Sequence, residues 1–349
     1  YFHGGERDWP VQNWLAARRR EPGAGFKFFA WDTEDFIFDV NDRTGVNLYN
    51  SPAFLYSQLR ANAEFRLRFA DRVHKHFFND GRLTPEAARD AYLQLADRID
   101  EAIVAESARW GDYRRDVYSY GQPGHVLYTR DDHWQVEVDD LVKDQPGHWF
   151  TDRTQMVLNQ LRAANLYPSI DAPSFNEHGG QVPDGFQLDI SASAGTVYYT
   201  LDGSDPRMPG AMTFDGNPIT LNETATLKAR LYDNGTWSAL NEATFFAVVP
   251  ADAASLAITE LNYNPTEPTD EEAAVATALG VIFNNDDFEF VELRNAGATT
   301  VDLAGVRFGT GITFEFPTEP MRPLAPGESV VVVANTDAFA ARYGDQFDG

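Results

Sequence analysis

At 349 residues the chain exceeds one ordinary core and fits two or three domains, with 43% apolar and 13% aromatic residues to pack them and no run long enough to be a membrane span. The lack of cysteine excludes disulfides, thiolate metal sites and a cysteine nucleophile. The net charge of −25 is concentrated after residue 170, where 7 basic face 27 acidic side chains against 21 and 26 before it, a balance that repels nucleic acid and anionic membranes.

In chain order, the first forty residues carry Arg7-Asp8, then Asn13, then a strand-like run from Phe26 to Ala30 ending in Trp31-Asp32. Residues 49–165 read as helical. Phe65, Phe69, Val73 and Phe77 make a four-residue stripe. Thr84 is an N-cap with Pro85 at the first helical position, followed by a long helix whose apolar stripe is Tyr92, Leu95, Ile99, Ile103 and Trp110. A third helical segment runs from Met156 to Leu166 and is closed by Tyr167-Pro168. Asp131 or Asp132 is expected to cap the helix after His133.

After residue 170 short β-branched runs alternate with Gly, Pro, Asn and Asp, the texture of β-sandwiches. Strands are expected at 186–190, 196–201, 224–231 and 242–248, and in a second set from Leu256 through 288–293, 301–308, 312–316 and 329–334. A short helix is expected at 271–279, and a linker at 249–252. Of the adjacent Tyr198 and Tyr199, one must point inward. Gly305, Gly309 and Gly311 lack the Lys-Ser/Thr of a phosphate loop and read as turn glycines.

Phosphoryl transfer needs an Asp beside the acceptor hydroxyl, an Asn ligand for one magnesium and a second Asp bridging metal to nucleotide. Asp8-x-x-x-x-Asn13, followed by a hairpin ending in Asp32, has that spacing. The same residues also read as a turn before Pro10, a solvated amide and a strand-end cap. The seven histidines are scattered, His74 and His76 lie on different sides of one helix, and no Gly-x-Ser-x-Gly elbow occurs.

The segments Gly5-Glu6-Arg7-Asp8-Trp9-Pro10-Val11-Gln12-Asn13-Trp14 and Gly25-Phe26-Lys27-Phe28-Phe29-Ala30-Trp31-Asp32-Thr33-Glu34 resemble the core of the CotH (spore-coat protein H) kinase family. The resemblance covers about residues 1–168. It implies Asp8 as the catalytic aspartate, Asn13 and Asp32 as metal ligands with Glu34 as an auxiliary one, and Mg or Mn with ATP as cofactors. No nucleotide-covering strands and no phosphate-holding lysine precede these residues, and Lys27 lies in the hairpin itself. The expectation is therefore a fragment lacking residues at both ends, inactive by itself, with any export signal outside the sequence.

Thr196 to Pro206, with Leu227-Lys228-Ala229-Arg230 and Trp237-Ser238, resembles the sandwich appended to chitobiases and hexosaminidases, giving a second unit at 169–250. Ile258 to Pro265, Phe288 to Asn295 and Leu324 to Glu328 resemble a lamin-tail domain, giving a third at 251–349. The expected fold class is multidomain α+β, a helical kinase-like lobe followed by two all-β immunoglobulin-like sandwiches. The functional expectation is a secreted or cell-surface bacterial protein kinase acting on protein hydroxyls. Its alternative is a non-enzymatic surface, adhesion or polysaccharide-associated protein, favoured if either sandwich exposes an aromatic strip. Partners are then a protein substrate or an extracellular polysaccharide, with no nucleic acid, and acidic loops such as Asp202–Asp205 offer weak calcium sites beside a plain turn reading.

Overall fold

The computed structural model describes residues 2–9, 11–33, 36–42, 48–119, 124–318 and 322–344. It is an α+β chain with a β-rich C-terminal half. Among the described residues no helix is long and apolar enough to cross a membrane.

A hairpin opens the chain. Strand β1 (Trp14–Ala17) pairs antiparallel with β2 (Lys27–Ala30), in register from Trp14 opposite Ala30 to Ala17 opposite Lys27. Helices α1 (Pro52–Leu59), α2 (Ala63–Phe77), α3 (Pro85–Trp110), α4 (Tyr113–Asp116), α5 (Gln135–Leu141) and α6 (Trp149–Ala163) follow. The stripe of α2 meets α6 as its spacing requires, with Val73 and Phe77 buried against Val157, Leu158 and Leu161. Thr84 caps α3, its Oγ1 accepting from Ala87 N at 3.3 Å.

Several expectations change. Leu95, Ile99 and Trp110 of α3 are exposed; the helix rests on α6 through Ala96 and through Tyr92, whose ring lies 5.3 Å from that of Phe150. Helix α6 begins at Trp149, earlier than the apolar period indicates, because its first turns are buried by polar bonds of Arg153 and Thr154. The cap before His133 is Thr129, whose Oγ1 accepts from Asp132 N, while His133 Nδ1 accepts from Thr129 N.

In the β half, the strand Ala225–Asp233 lies between Thr196–Thr200 and Asn241–Pro250, and Gly180–Pro183 joins the latter in parallel. Its period of two sends Leu227, Ala229 and Leu231 into a core with Leu188 and Phe245. Arg230, on the opposite face, is buried beneath α2. Along Asn241–Pro250 the residues Ala243, Phe245 and Ala247 enter that same core, whereas Val249 and Ala251 pack with Val301 and Leu303 in the next one. Half of the stretch expected as a linker is thus strand: Val249-Pro250 pairs in parallel with Val301-Asp302, and Ala251-Asp252 follow it.

Beyond it, Leu256–Asn262, Phe290–Asn295 and Ser329–Val333 form an antiparallel sheet with Phe290–Asn295 central. Helix α7 (Asp270–Leu279) opens with a reciprocal cap between Thr269 and Glu272, and α8 (Thr336–Tyr343) packs near it, Arg342 bonding Glu272. The runs 301–308 and 312–316 are not full strands. Only Val301-Asp302 and a single bridge between Arg307 and Glu315 remain, because Gly305 (φ +70°) and Gly311 (φ +86°) turn the chain out of extension.

Candidate functional site

The segment before the hairpin is fixed by one side chain. Arg153, fully buried on α6, donates to the carbonyls of Phe2 (2.7 Å), His3 (2.7 Å), Val40 (2.6 Å) and Asp42 (2.9 Å), with its guanidinium 4.8 Å from the Trp149 ring. Burial pulls its pKa down to about 10. Gly5 (φ +69°) passes so close that a Cβ would meet Asp42 Cβ at 3.1 Å. Arg7 clamps Asp42 with both ends of its guanidinium. Residues 2–9 are therefore held on the helical core, and Phe2 packs against Tyr56 and Phe69.

On this support Asp8 begins a turn, its carbonyl accepting from Val11 N and Gln12 N, both at 2.9 Å, and its Oδ2 accepting from Gln12 Nε2 at 3.0 Å. Asn13 is buried with φ +60°, and Asp32 has φ +51°, a backbone region Asn and Asp enter more readily than most residues. Asn13 Nδ2 donates to Asp32 O at 2.8 Å, closing the base of the hairpin. This bond runs from the Asn13 amide to the Asp32 main chain and does not involve the Asp32 carboxylate. Asp8 is tied to the same turn through Gln12, and Glu34 lies outside the described residues.

Glu6 went unnoticed in the sequence although it sits within the same motif. It is buried, its Oε1 accepts from Asp8 N at 2.9 Å, and its Oε2 has no hydrogen-bond partner among the described residues. Asp32 and Asn13 offer oxygen donors, and Glu6 a buried oxygen, of the type a hard cation takes. Among the described residues no three histidine or acidic side chains converge on a point suited to a metal.

A cleft of about 600 Å³ lies elsewhere, between the C-terminal end of α2 and the β module. His74, His76, Asn79, His178, Asn241 and Glu242 line part of it, and none of Asp8, Asn13 or Asp32 does. His74 is buried, with Nδ1 2.8 Å from the Tyr167 hydroxyl and Nε2 without a partner; burial, then the neighbouring His178, lowers its pKa to about 4. His178 Nε2 lies 3.0 Å from Asn241 Oδ1. Beside the cleft, Asp71 and Glu64 of α2 bind Arg230 and Arg207. That junction was not visible in the sequence, since its partners are more than a hundred residues apart.

In the Asp202–Asp205 loop, Asp202 Oδ1 accepts from Ser204 N and Asp205 Oδ1 from Arg207 N, while Asp205 also pairs with Arg207 and Arg230. These carboxylates serve a turn and two guanidiniums. Tyr199 packs on the core and Tyr198 points out, its ring 5.3 Å from Trp237, which lies 4.6 Å from Tyr232.

Residues 186–245 match the family model described as Fn3 associated. No curated protein matches the chain.

Proposed function

We propose that the chain is part of a CotH-like, metal- and ATP-dependent protein kinase of the bacterial cell exterior, with two accessory β modules. The second unit is read as a sandwich of the kind appended to chitobiases, in keeping with its Fn3-associated stretch, and the third as a lamin-tail domain. The observation that supports the reading is the bond from the Asn13 amide to the Asp32 main chain, which sets the two residues beside each other at the hairpin base. Asn13 and Asp32, with Glu34, would hold a magnesium or manganese ion, which supplies charge neutralisation at the transferring phosphate. Asp8 accepts the proton of the acceptor hydroxyl, and Glu6 holds the Asp8 backbone.

The test is Mn²⁺ titration with ATP, followed by electron paramagnetic resonance of the free ion. Asp32→Ala should weaken the tightest Mn²⁺ site about tenfold or more, by removing its only described carboxylate ligand. Equal uptake by wild type and Asp32→Ala would sink the kinase reading.

A second reading, a polysaccharide-associated surface protein, is favoured by the outward ring cluster of Tyr198, Tyr232 and Trp237. Aromatic faces of this kind can stack on sugars. Co-sedimentation with insoluble glycans, lost in Trp237→Ala, supports it; equal sedimentation of the variant does not.

A further inference from the structure

The β1–β2 hairpin departs from the rest of the molecule in both charge and burial. Residues 14–30 carry Arg18, Arg19, Arg20 and Lys27 against the single acid Glu21, in a chain whose net charge is −25. Five arginines elsewhere are tightly engaged, Arg153 by four carbonyls and Arg7, Arg207, Arg230 and Arg342 by carboxylates. At the hairpin tip, Arg20 has no hydrogen bond or ion pair among the described residues, and Arg18 rests only on the Phe26 ring, 5.4 Å from its centroid. Arg18, Arg20 and the Pro22–Ala24 turn line an open hollow with Phe26 at its edge.

The strands add apolar surface to this charge. Phe26 is 62% exposed, Trp31 58%, Leu15 56% and Phe28 46%. Leu15 and Phe28 alternate onto opposite faces of the ribbon, so both faces are apolar and open to solvent. Among the described residues no other helix or strand makes more than marginal contact with the hairpin. A two-stranded ribbon is marginal alone, and exposed aromatics beside unpaired guanidiniums have the composition of an interface centre.

We propose that the hairpin is a docking element for a short, extended acidic peptide segment of a partner protein, whose carboxylates meet Arg18 and Arg20 while its apolar side chains cover Phe26 and Phe28. Charge selects this occupant. Bidentate carboxylate pairing is what free guanidiniums favour. A nucleic acid or an anionic bilayer presents negative charge over many Debye lengths and would meet the strongly acidic remainder of the chain. A segment of a few residues presents its charge only to the hairpin.

The probe is a labelled decapeptide of alternating glutamate and leucine, titrated into the full chain by fluorescence anisotropy. Arg18→Glu with Arg20→Glu should weaken binding at least tenfold, Phe28→Ser should weaken it severalfold, and raising salt from 50 to 300 mM should weaken it in the wild type. A lysine-for-glutamate peptide should not bind. Hydrogen exchange on the wild type, which needs no variant, should show new protection within residues 14–30. The proposal is overturned by absence of peptide binding, by unchanged affinity in the double arginine variant, by protection elsewhere, or by tighter binding of single-stranded DNA or anionic vesicles at equal ionic strength.

Discussion

Arg230 of the β half holds Asp71 of α2 with two parallel hydrogen bonds of 2.8 and 2.7 Å, while Asp71 Oδ1 also accepts from Leu240 N at 2.9 Å. The guanidinium is 1% exposed, so this pair is the buried centre of the junction between helices and strands. Asp71→Ala leaves the buried Arg230 with only the 3.3 Å contact to Asp205, already shared with Arg207, and the Ser238 carbonyl, and should cost about 3 kcal/mol in urea unfolding. Arg230→Met should cost clearly less, since a hydrophobic residue of similar volume often replaces a buried ion well and Asp71 keeps its Leu240 bond. An Asp71→Ala variant within 1 kcal/mol of wild type would show that the junction relaxes to admit water.

Acid should weaken the fold before its carboxylates titrate. His3 and His74 are each lowered to about 4, His3 by burial and then by the charge on Arg153, His74 by burial and then by His178. Both stay neutral when folded, while the unfolded chain protonates near 6.5. Their contribution is therefore whole above pH 6.5 and is lost as pH falls from 6.5 toward 4, by about 3 kcal/mol for each histidine. Denaturant midpoints measured at pH 7, 5.5 and 4.5 should fall steadily, and His74→Gln should flatten the slope. A flat wild-type profile over that range contradicts the burial argument.

Arg153→Met should release residues 2–9 and 40–42 from the helical core. Four carbonyls lose their donor, and an unsatisfied buried polar group costs roughly 1–3 kcal/mol. Limited proteolysis should then cut within the first 42 residues while the β half stays intact, and an unchanged digestion pattern would contradict the stapling role.

Asn13→Gly and Asn13→Ala separate conformation from chemistry. Glycine accepts φ +60° and removes the amide; alanine removes the amide and opposes the backbone. Both should lose the bond to Asp32, and alanine should melt about 1 kcal/mol lower than glycine. If Mn²⁺ binding falls equally in the two, the amide is what matters; if it falls only in alanine, the backbone geometry is.

Local features were legible in the sequence because their partners are neighbours in the chain. The Thr84-Pro85 start of α3, the helix over 271–279 and the α2 stripe rest on capping and on a 3.6-residue period. The alternation of Leu227, Ala229 and Leu231 is equally local. What escaped depends on residues far apart. Arg153 looks like a solvent-facing helix residue until residues 2–3 and 40–42 arrive around it, and Arg230 like a polar strand residue until α2 covers it. Leu95, Ile99 and Trp110 have a core's spacing yet are exposed, with no covering element among the described residues. For the candidate site, the motif named Asn13 and Asp32 but not the bond from the Asn13 amide to the Asp32 main chain, and the environment of Glu6 follows from burial that no motif encodes.

The strand Asn241–Pro250 places Ala243, Phe245 and Ala247 in one core and Val249, with Ala251 just beyond, in the next, all on odd positions. The two β units are thereby locked in phase. One residue inserted between Val248 and Val249 would turn the side chains that should enter the second core toward solvent, and two would restore them. Length variation at this junction in related chains should come in even steps, and a chimaera that grafts another module after Ala247 will fold only if its first inward side chain keeps that parity.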